Sequence, residues 1–331
     1  MNPASLPSLI QRFFTQRMLE QQGLSSQTVA SYRDTFRLLL GFATKHFGRA
    51  PSKLLTKELD ASFIEEFLGH LEKERGNSVR TRNTRLAAVH AFFCFVAISE
   101  PELGLQCQRI LAIPTKRYEH RPVEFLTEEE AAALVAAPDA KTWIGNRDRT
   151  LLLVAVQTGL RNSELTSLNR QDVALGTGAH VRCLGKGRKM RCTPLRPDVI
   201  AILKEWLLRQ PGAPGDPVFP SSRGGHLSAD ALQRLVSRHA ATACQTCPSL
   251  KEKSVTPHTL RHSAAMSLLQ RGVDPSVIAL WLGHESSETT QIYLHADMRL
   301  KERALAHANT SGLVPTRYVP PDPLLAFLEG L

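Results

Sequence analysis

From Ser25 to His46, apolar side chains return at Val29, Tyr32, Phe36, Leu39, Leu40 and Ala43, the three-and-four spacing of one helical face, while Arg33 and Arg37 fall on the other. The same reading makes helices of ASFIEEFLGHLEKERG, with Gly76 as the residue that stops it, and of SVRTRNTRLAAVHAFFCFVAI. The first third is therefore expected to be all-helical. The pattern then breaks: IPTKRYEHRPVEFL, between Ile113 and Leu126, holds two prolines, mixed charge and no steady period, as an exposed interdomain linker does. Regularity resumes with LTEEEAAALVAA, where Thr127 and Glu130 have the spacing of a capping box. An apolar helix in DRTLLLVAVQTG stops at Thr158-Gly159, and a shorter helix starts near Arg161. HVRCLGKGRKMRCTPL reads as two short strands around a turn at Gly185-Lys186-Gly187-Arg188. Helix start signals recur at Pro197-Asp198, Ser228, Thr256-Pro257 and Asp274-Pro275. The expected fold is mainly α: a helical domain over residues 1–115, a linker over 116–125, a mostly helical domain with a small antiparallel β-sheet over 126–310, and a tail over 311–331.

Charge narrows the partners. The chain of 331 residues carries 41 Lys and Arg against 31 Asp and Glu, a formal net charge of +10. These cations are scattered along its whole length, so a polyanion, nucleic acid first, is the natural partner. Lys73, Arg75, Arg80, Arg82 and Arg85 cluster around the turn between two expected helices and suit backbone phosphates, although a solvated charged face would look the same. The longest apolar runs, AFFCFVAI and LLLVAV, are far shorter than the ~20 residues of a membrane span. The first residues lack the layout of a secretory signal, so a cytoplasmic, nucleoid-associated protein is expected. The six cysteines read as reduced thiols.

VTPHTLRHSAAMSLLQRG places cations where a helix dipole favours acids. With Thr256 as N-cap and Pro257 at the first helical position, His258 and Arg261 stand three apart on one side of the helix. Free N–H groups and a partial positive charge at that end, joined by His and Arg, suit an anion such as phosphate. His258 and His262 have the spacing of a zinc pair, but no glutamate follows the first and no third ligand accompanies them. Arg161 lies on the turn after Thr158-Gly159, with Glu164 near enough to orient it, and Lys186 stands between glycines at the hairpin tip. In LGHESSETTQIYLH, His284 follows a helix-ending glycine and Tyr293 lies on the next short helix. Together these residues make a coherent set for breaking a phosphodiester without metal. Paired guanidiniums clamp the non-bridging oxygens, a phenol attacks, and Lys186 and His258 move protons. No trio of carboxylates, as two-metal nucleases need, sits among these motifs, and LGKGRK lacks the remaining features of a P-loop.

TGLRNSEL, LGKGRKMRCTPL, PHTLRHS and LGHESSETTQIYLH, in this order, resemble the active-site boxes of the tyrosine recombinases, the phage-integrase family of site-specific DNA recombinases. The resemblance covers roughly Leu126 to Asp297. It implies Arg161 and Arg261 as a phosphate clamp, Lys186 as general acid, His258 as proton-transfer residue, and His284 as a transition-state hydrogen bonder. Tyr293 becomes the nucleophile of a 3′-phosphotyrosyl link, and Glu164 a supporting acid. It also implies a core-binding role for the helical first third, a clamp around double-stranded DNA, and four protomers at synapsis, alone or with related recombinases. No cofactor, metal or ATP is implied. In this family a C-terminal segment often docks on a neighbouring protomer, and VPPDPLLAFLEGL is a candidate for that or for packing on its own domain. No extra domain is recognisable before the helical third, which favours a simple recombinase or mobile-element enzyme. Two other readings stay open: a DNA-binding accessory protein that kept the fold without the chemistry, and a type IB topoisomerase-like enzyme that relaxes one duplex. Of the leftover features, Cys244 and Cys247 lack a second cysteine pair for zinc, the other cysteines read as core or strand positions, and Trp143, Trp206 and Trp281 read as core.

Overall fold

The computed structural model describes residues 5–118, 123–185, 190–283 and 293. Lys186, His284 and the tail over 311–331 lie outside them. The chain divides into two compact units, residues 1–120 and 121–331.

In the first unit, side-chain caps set the helix starts. Ser25 caps α2 (Ser26–Phe47), Asp60 caps α3 (Ala61–Lys73) and Ser78 caps α4 (Val79–Ser99), each accepting a hydrogen bond from a backbone N–H of the first turn. These are the three helices expected from the apolar stripes. Two further helices had no comparable period: α1 (Leu6–Arg12), which runs into a π-helical stretch over Phe13–Gln21, and α5 (Gly104–Leu111). They are short, and they bury Leu6 and Leu9 in α1 and Cys107 and Ile110 in α5, beside an aromatic cluster supplied by the π-helical stretch, α2 and α4. Phe13, Phe36 and Phe92 meet edge-on or tilted at centroid distances of 5.1–6.1 Å.

In the second unit, helices α6 (Glu128–Ala136), α7 (Trp143–Thr158), α8 (Asn162–Thr166), α9 (Pro197–Arg209), α10 (Ala229–Ala243), α11 (Pro257–Gln270) and α12 (Pro275–Leu282) accompany a three-stranded antiparallel sheet. The sheet runs in the order β1 (Val173–Ala174), β2 (His180–Leu184), β3 (Met190–Pro194), and its register sets Cys183 opposite Arg191. Thr127 and Glu130 form the expected capping box, and Glu130 also accepts hydrogen bonds from Lys253 and Ser249. The end of the expected linker belongs to this unit: Glu124 accepts from the Ser254 N–H, and Val123 and Phe125 pack against the cluster that contains Tyr293. A second polar centre lies deeper. Asp148, fully buried, accepts from Arg147, Arg238 and His239 at 2.7–2.9 Å.

Two expectations are corrected. Trp143 is 37% exposed, because it occupies the first position of α7, with one side on Trp206 and the Arg147 guanidinium over its ring. Cys94 is exposed on α4, although Phe92 and Phe93 just before it are buried. No helix among the described residues is long and apolar enough to cross a membrane.

Candidate active site

Helix ends build this site. Helix α7 stops at Gly159, whose φ of 64° is open to glycine at little cost, and α12 stops at Gly283 with a φ of 65°. Such ends leave carbonyl groups unpaired and carry a partial negative charge. Two arginines satisfy them. Arg261 donates to Gly159 O and Leu282 O, both at 2.7 Å, and Arg161 donates to Gly283 O at 2.8 Å. Glycine at 159 is also required by space, since a Cβ there would lie 2.7 Å from Leu282 Cδ2 and 3.1 Å from Ala264 Cβ.

Glu164 ties Arg161 to the sheet. Its carboxylate accepts from the Arg161 backbone N–H at 2.7 Å and from the Arg161 guanidinium at 2.9 Å. On the other side it takes a two-pronged pair from Arg191 on β3, both bonds at 2.7 Å. Burial pushes the Glu164 carboxyl up, but hydrogen bonds from Arg191 and Arg161 outweigh it and hold the group below the usual carboxylate range. Arg191 is the partner that the sequence reading missed. Its only signal was a cation inside a strand, and its contact with Glu164, 27 residues away, depends on the hairpin register.

Arg261 is 5% exposed, and burial together with the nearby Arg161 charge lowers its pKa to about 10. Tyr293 is buried among Ala265, Met266, Leu269, Ile278 and Leu282. Burial raises its phenol to about 12, against the pull of Arg261 and Arg161. Its hydroxyl is hydrogen-bonded to His262 Nδ1 at 2.9 Å. Burial, then the neighbouring His258 and Arg261, push His262 down to about 4, so its ring is neutral at pH 7. His258, in the first turn of α11, is exposed.

Of the expected residues, the structure therefore gathers Arg161, Glu164, Arg261 and Tyr293, and it adds Arg191 and His262. It sets His258 one helical turn from His262 and away from the phenol's direct contact. Lys186 and His284 lie outside the described residues. Among the described residues of this cluster, Arg161 and Arg191 share the one carboxylate of Glu164 while Arg261 rests on main-chain carbonyls, so three guanidiniums stand against one carboxylate. Among the described residues, no three His, Cys, Asp or Glu side chains group so that they could hold a metal ion. In the first unit Lys73, Arg75 and Arg80 are exposed, whereas Arg82 and Arg85 turn inward. Arg82 donates to Pro114 O and Asn83, and Arg85 donates to Ser31 O and Thr35.

Comparison with known proteins bears on this arrangement. Residues 124–299 match the phage integrase family, and residues 10–99 match the phage integrase N-terminal SAM-like domain. The chain is 51% identical over 328 residues to a Sinorhizobium fredii protein named as an integrase/recombinase, y4rC, with 99% of each chain covered. It is 33% identical to the tyrosine recombinase XerD of Pseudomonas putida, over 92% of this chain and 98% of that one. Among solved structures, the XerH site-specific recombinase bound to a palindromic difH substrate, in a post-cleavage complex, aligns with a TM-score of 0.64 at 26% identity, covering 83% of this chain and 79% of the other. This chain belongs to the phage integrase family and is a tyrosine recombinase.

Proposed function

We propose that this protein cuts and rejoins double-stranded DNA at specific sites through Tyr293, by way of a 3′-phosphotyrosyl link, without metal or ATP, in the service of a mobile element. The observation that carries the reading is the excess of guanidinium charge beside a phenol. Arg161 and Arg261 already sit in the field of Tyr293, and the excess of guanidinium over carboxylate charge among the described residues calls for an anion of the phosphodiester kind while repelling a divalent cation. As Tyr293 Oη bonds to phosphorus, the bond to the 5′-oxygen breaks. The guanidiniums hold the charge on the non-bridging oxygens, and Lys186 protonates the departing oxygen. His284 donates a further hydrogen bond to the transition state, and His258 takes part in proton transfer. The phosphotyrosyl ester keeps the bond energy, so rejoining needs no nucleotide. Exposed Lys73, Arg75 and Arg80 of the first unit contact the backbone of the duplex. Four protomers assemble on two sites for exchange.

The test is a covalent-trapping assay. The protein and a Tyr293→Phe variant are incubated with DNA from the flanks of the gene's own genetic element, intact and as nicked suicide duplexes, with EDTA present. Adducts that resist SDS are expected from the unaltered protein alone. If both proteins bind the DNA and neither forms an adduct, the accessory DNA-binding reading replaces this one. Relaxation of any supercoiled plasmid regardless of site would instead identify a topoisomerase-like enzyme.

A further inference from the structure

We infer that His262 holds the Tyr293 hydroxyl and accepts its proton as the phenol attacks, a role that the sequence reading had given to His258. The inference rests on the proposed use of Tyr293 as nucleophile. Its geometry is direct: His262 Nδ1 lies 2.9 Å from Tyr293 Oη, the rings are 5.6 Å apart with a 60° tilt, and both are fixed by the packing of α11. His258 is a full turn nearer the start of the same helix and exposed.

Three features fit this role. The imidazole is neutral at pH 7, so when the phenol donates to Nδ1 the ring's own proton sits on Nε2 and the Nδ1 lone pair is available. The neighbours that hold the His262 pKa down, after burial, are His258 and Arg261, both on its own helix, and Arg261 belongs to the clamp that a bound phosphate would neutralise. Phosphate binding therefore makes His262 more basic at the moment the proton must move, while the same arginines favour the phenolate. Finally, i and i+4 residues share a helix face, so His258 stands where it can pass the proton outward once Nδ1 has taken it. The step balances: the Oη–P bond forms, the P–O5′ bond breaks with its electron pair going to O5′, the phenolic proton goes to Nδ1, and O5′ takes a proton from the general acid.

Two measurements on the full chain test this. The first needs no DNA. In ¹⁵N-histidine-labelled protein, the Nδ1 resonance of His262 should shift between the unaltered protein and Tyr293→Phe. An unchanged resonance means the bond is absent and overturns the inference, whatever becomes of the nucleophile. The second follows adduct formation on a nicked suicide duplex against pH, with His262→Ala and His262→Asn. A general base contributes about 100-fold or more, so both variants should cleave about 100-fold more slowly near neutral pH with unchanged DNA affinity. Their rates should then climb about tenfold per pH unit, because only phenolate reacts, while the unaltered protein stays nearly flat between about pH 6 and 9. A sulfur atom in place of the bridging 5′-oxygen should not rescue them. If the variants match the unaltered protein, lose rate with no added pH slope, or are rescued by sulfur, His262 is not the base. If the unaltered protein forms no adduct while the resonance shifts as expected, it is the nucleophile reading that fails, and the base role falls with it.

Discussion

Replacing Glu164 with glutamine removes a buried negative charge while keeping the shape. The carboxylate is 4% exposed and pairs with Arg191, itself 10% exposed, and with Arg161, which is 25% exposed. Breaking a buried pair by removing one partner costs about 3–5 kcal/mol, because the remaining charge stays in a poorly solvated place. The Arg191 pair counts nearly in full and the more exposed Arg161 pair adds less, so a loss of about 3 kcal/mol is expected. For a unit of this size that corresponds to a fall of roughly 6–12 °C in melting temperature. Tryptophan fluorescence during urea or thermal unfolding reads the right unit, since Trp143, Trp206 and Trp281 all lie within residues 121–331. Adding Arg191→Met to Glu164→Gln should recover about 1–3 kcal/mol, because both charges are then gone. The pH dependence has a definite sign. A carboxyl held below its ordinary pKa contributes stability that is complete above that ordinary value and is lost as pH falls through the lowered one. The gap between the unaltered protein and the glutamine variant should therefore close on acidification. A loss under about 1 kcal/mol, or a double variant no better than the single one, would refute the claim that the carboxylate is the counter-ion holding this cluster together.

Three further outcomes are expected. Gly159→Ala forces a Cβ onto Leu282 in a left-handed backbone and should cost about 2–4 kcal/mol by thermal unfolding, with adduct formation reduced as Arg261 loses its seat. Substituting Lys73, Arg75 and Arg80 with alanine should flatten the salt dependence of DNA binding by about 0.9 in log–log slope per lost phosphate contact, whereas Arg82→Ala should instead lower the stability of the first unit. Asp148→Asn should destabilise the second unit near pH 7 and lose that deficit as pH falls. Burial raises this carboxyl, but hydrogen bonds from His239 and Arg147 hold it below its ordinary value, so its contribution is present above that value and disappears in acid.

Local chemistry carried most of the helix map. The start signals at Thr127, Pro197, Ser228, Thr256 and Asp274 all stand at helix boundaries, because caps and prolines act on the backbone within one turn. Gly159 and the hairpin were legible for the same reason. What escaped depends on distant partners. Arg191 meets Glu164 through the strand register, and Arg82 is drawn inward by the carbonyl of Pro114, 32 residues on. His258 and His262 are indistinguishable by residue type and spacing; which of them meets the phenol is decided by how deeply each turn of α11 is buried beside Tyr293. Trp143 looked like core because a residue at a helix start shares the apolar neighbourhood in sequence without sharing the buried face.

That Arg161 and Arg261 rest on carbonyls of Gly159, Leu282 and Gly283 has a consequence for how this chain can vary. Main-chain oxygens are present whatever side chain a position carries, so exchanges on the outer face of α12, at Val277 or Leu280, leave the acceptors untouched. Length is another matter. One residue inserted into α7 or α12 just before its final turn would rotate the terminal carbonyls by about 100° and carry them about 1.5 Å along the axis, away from Arg261 in the case of α7 and from both guanidiniums in the case of α12. The exposed positions of α12 are free to drift in spelling, and the residue count of both helices is not.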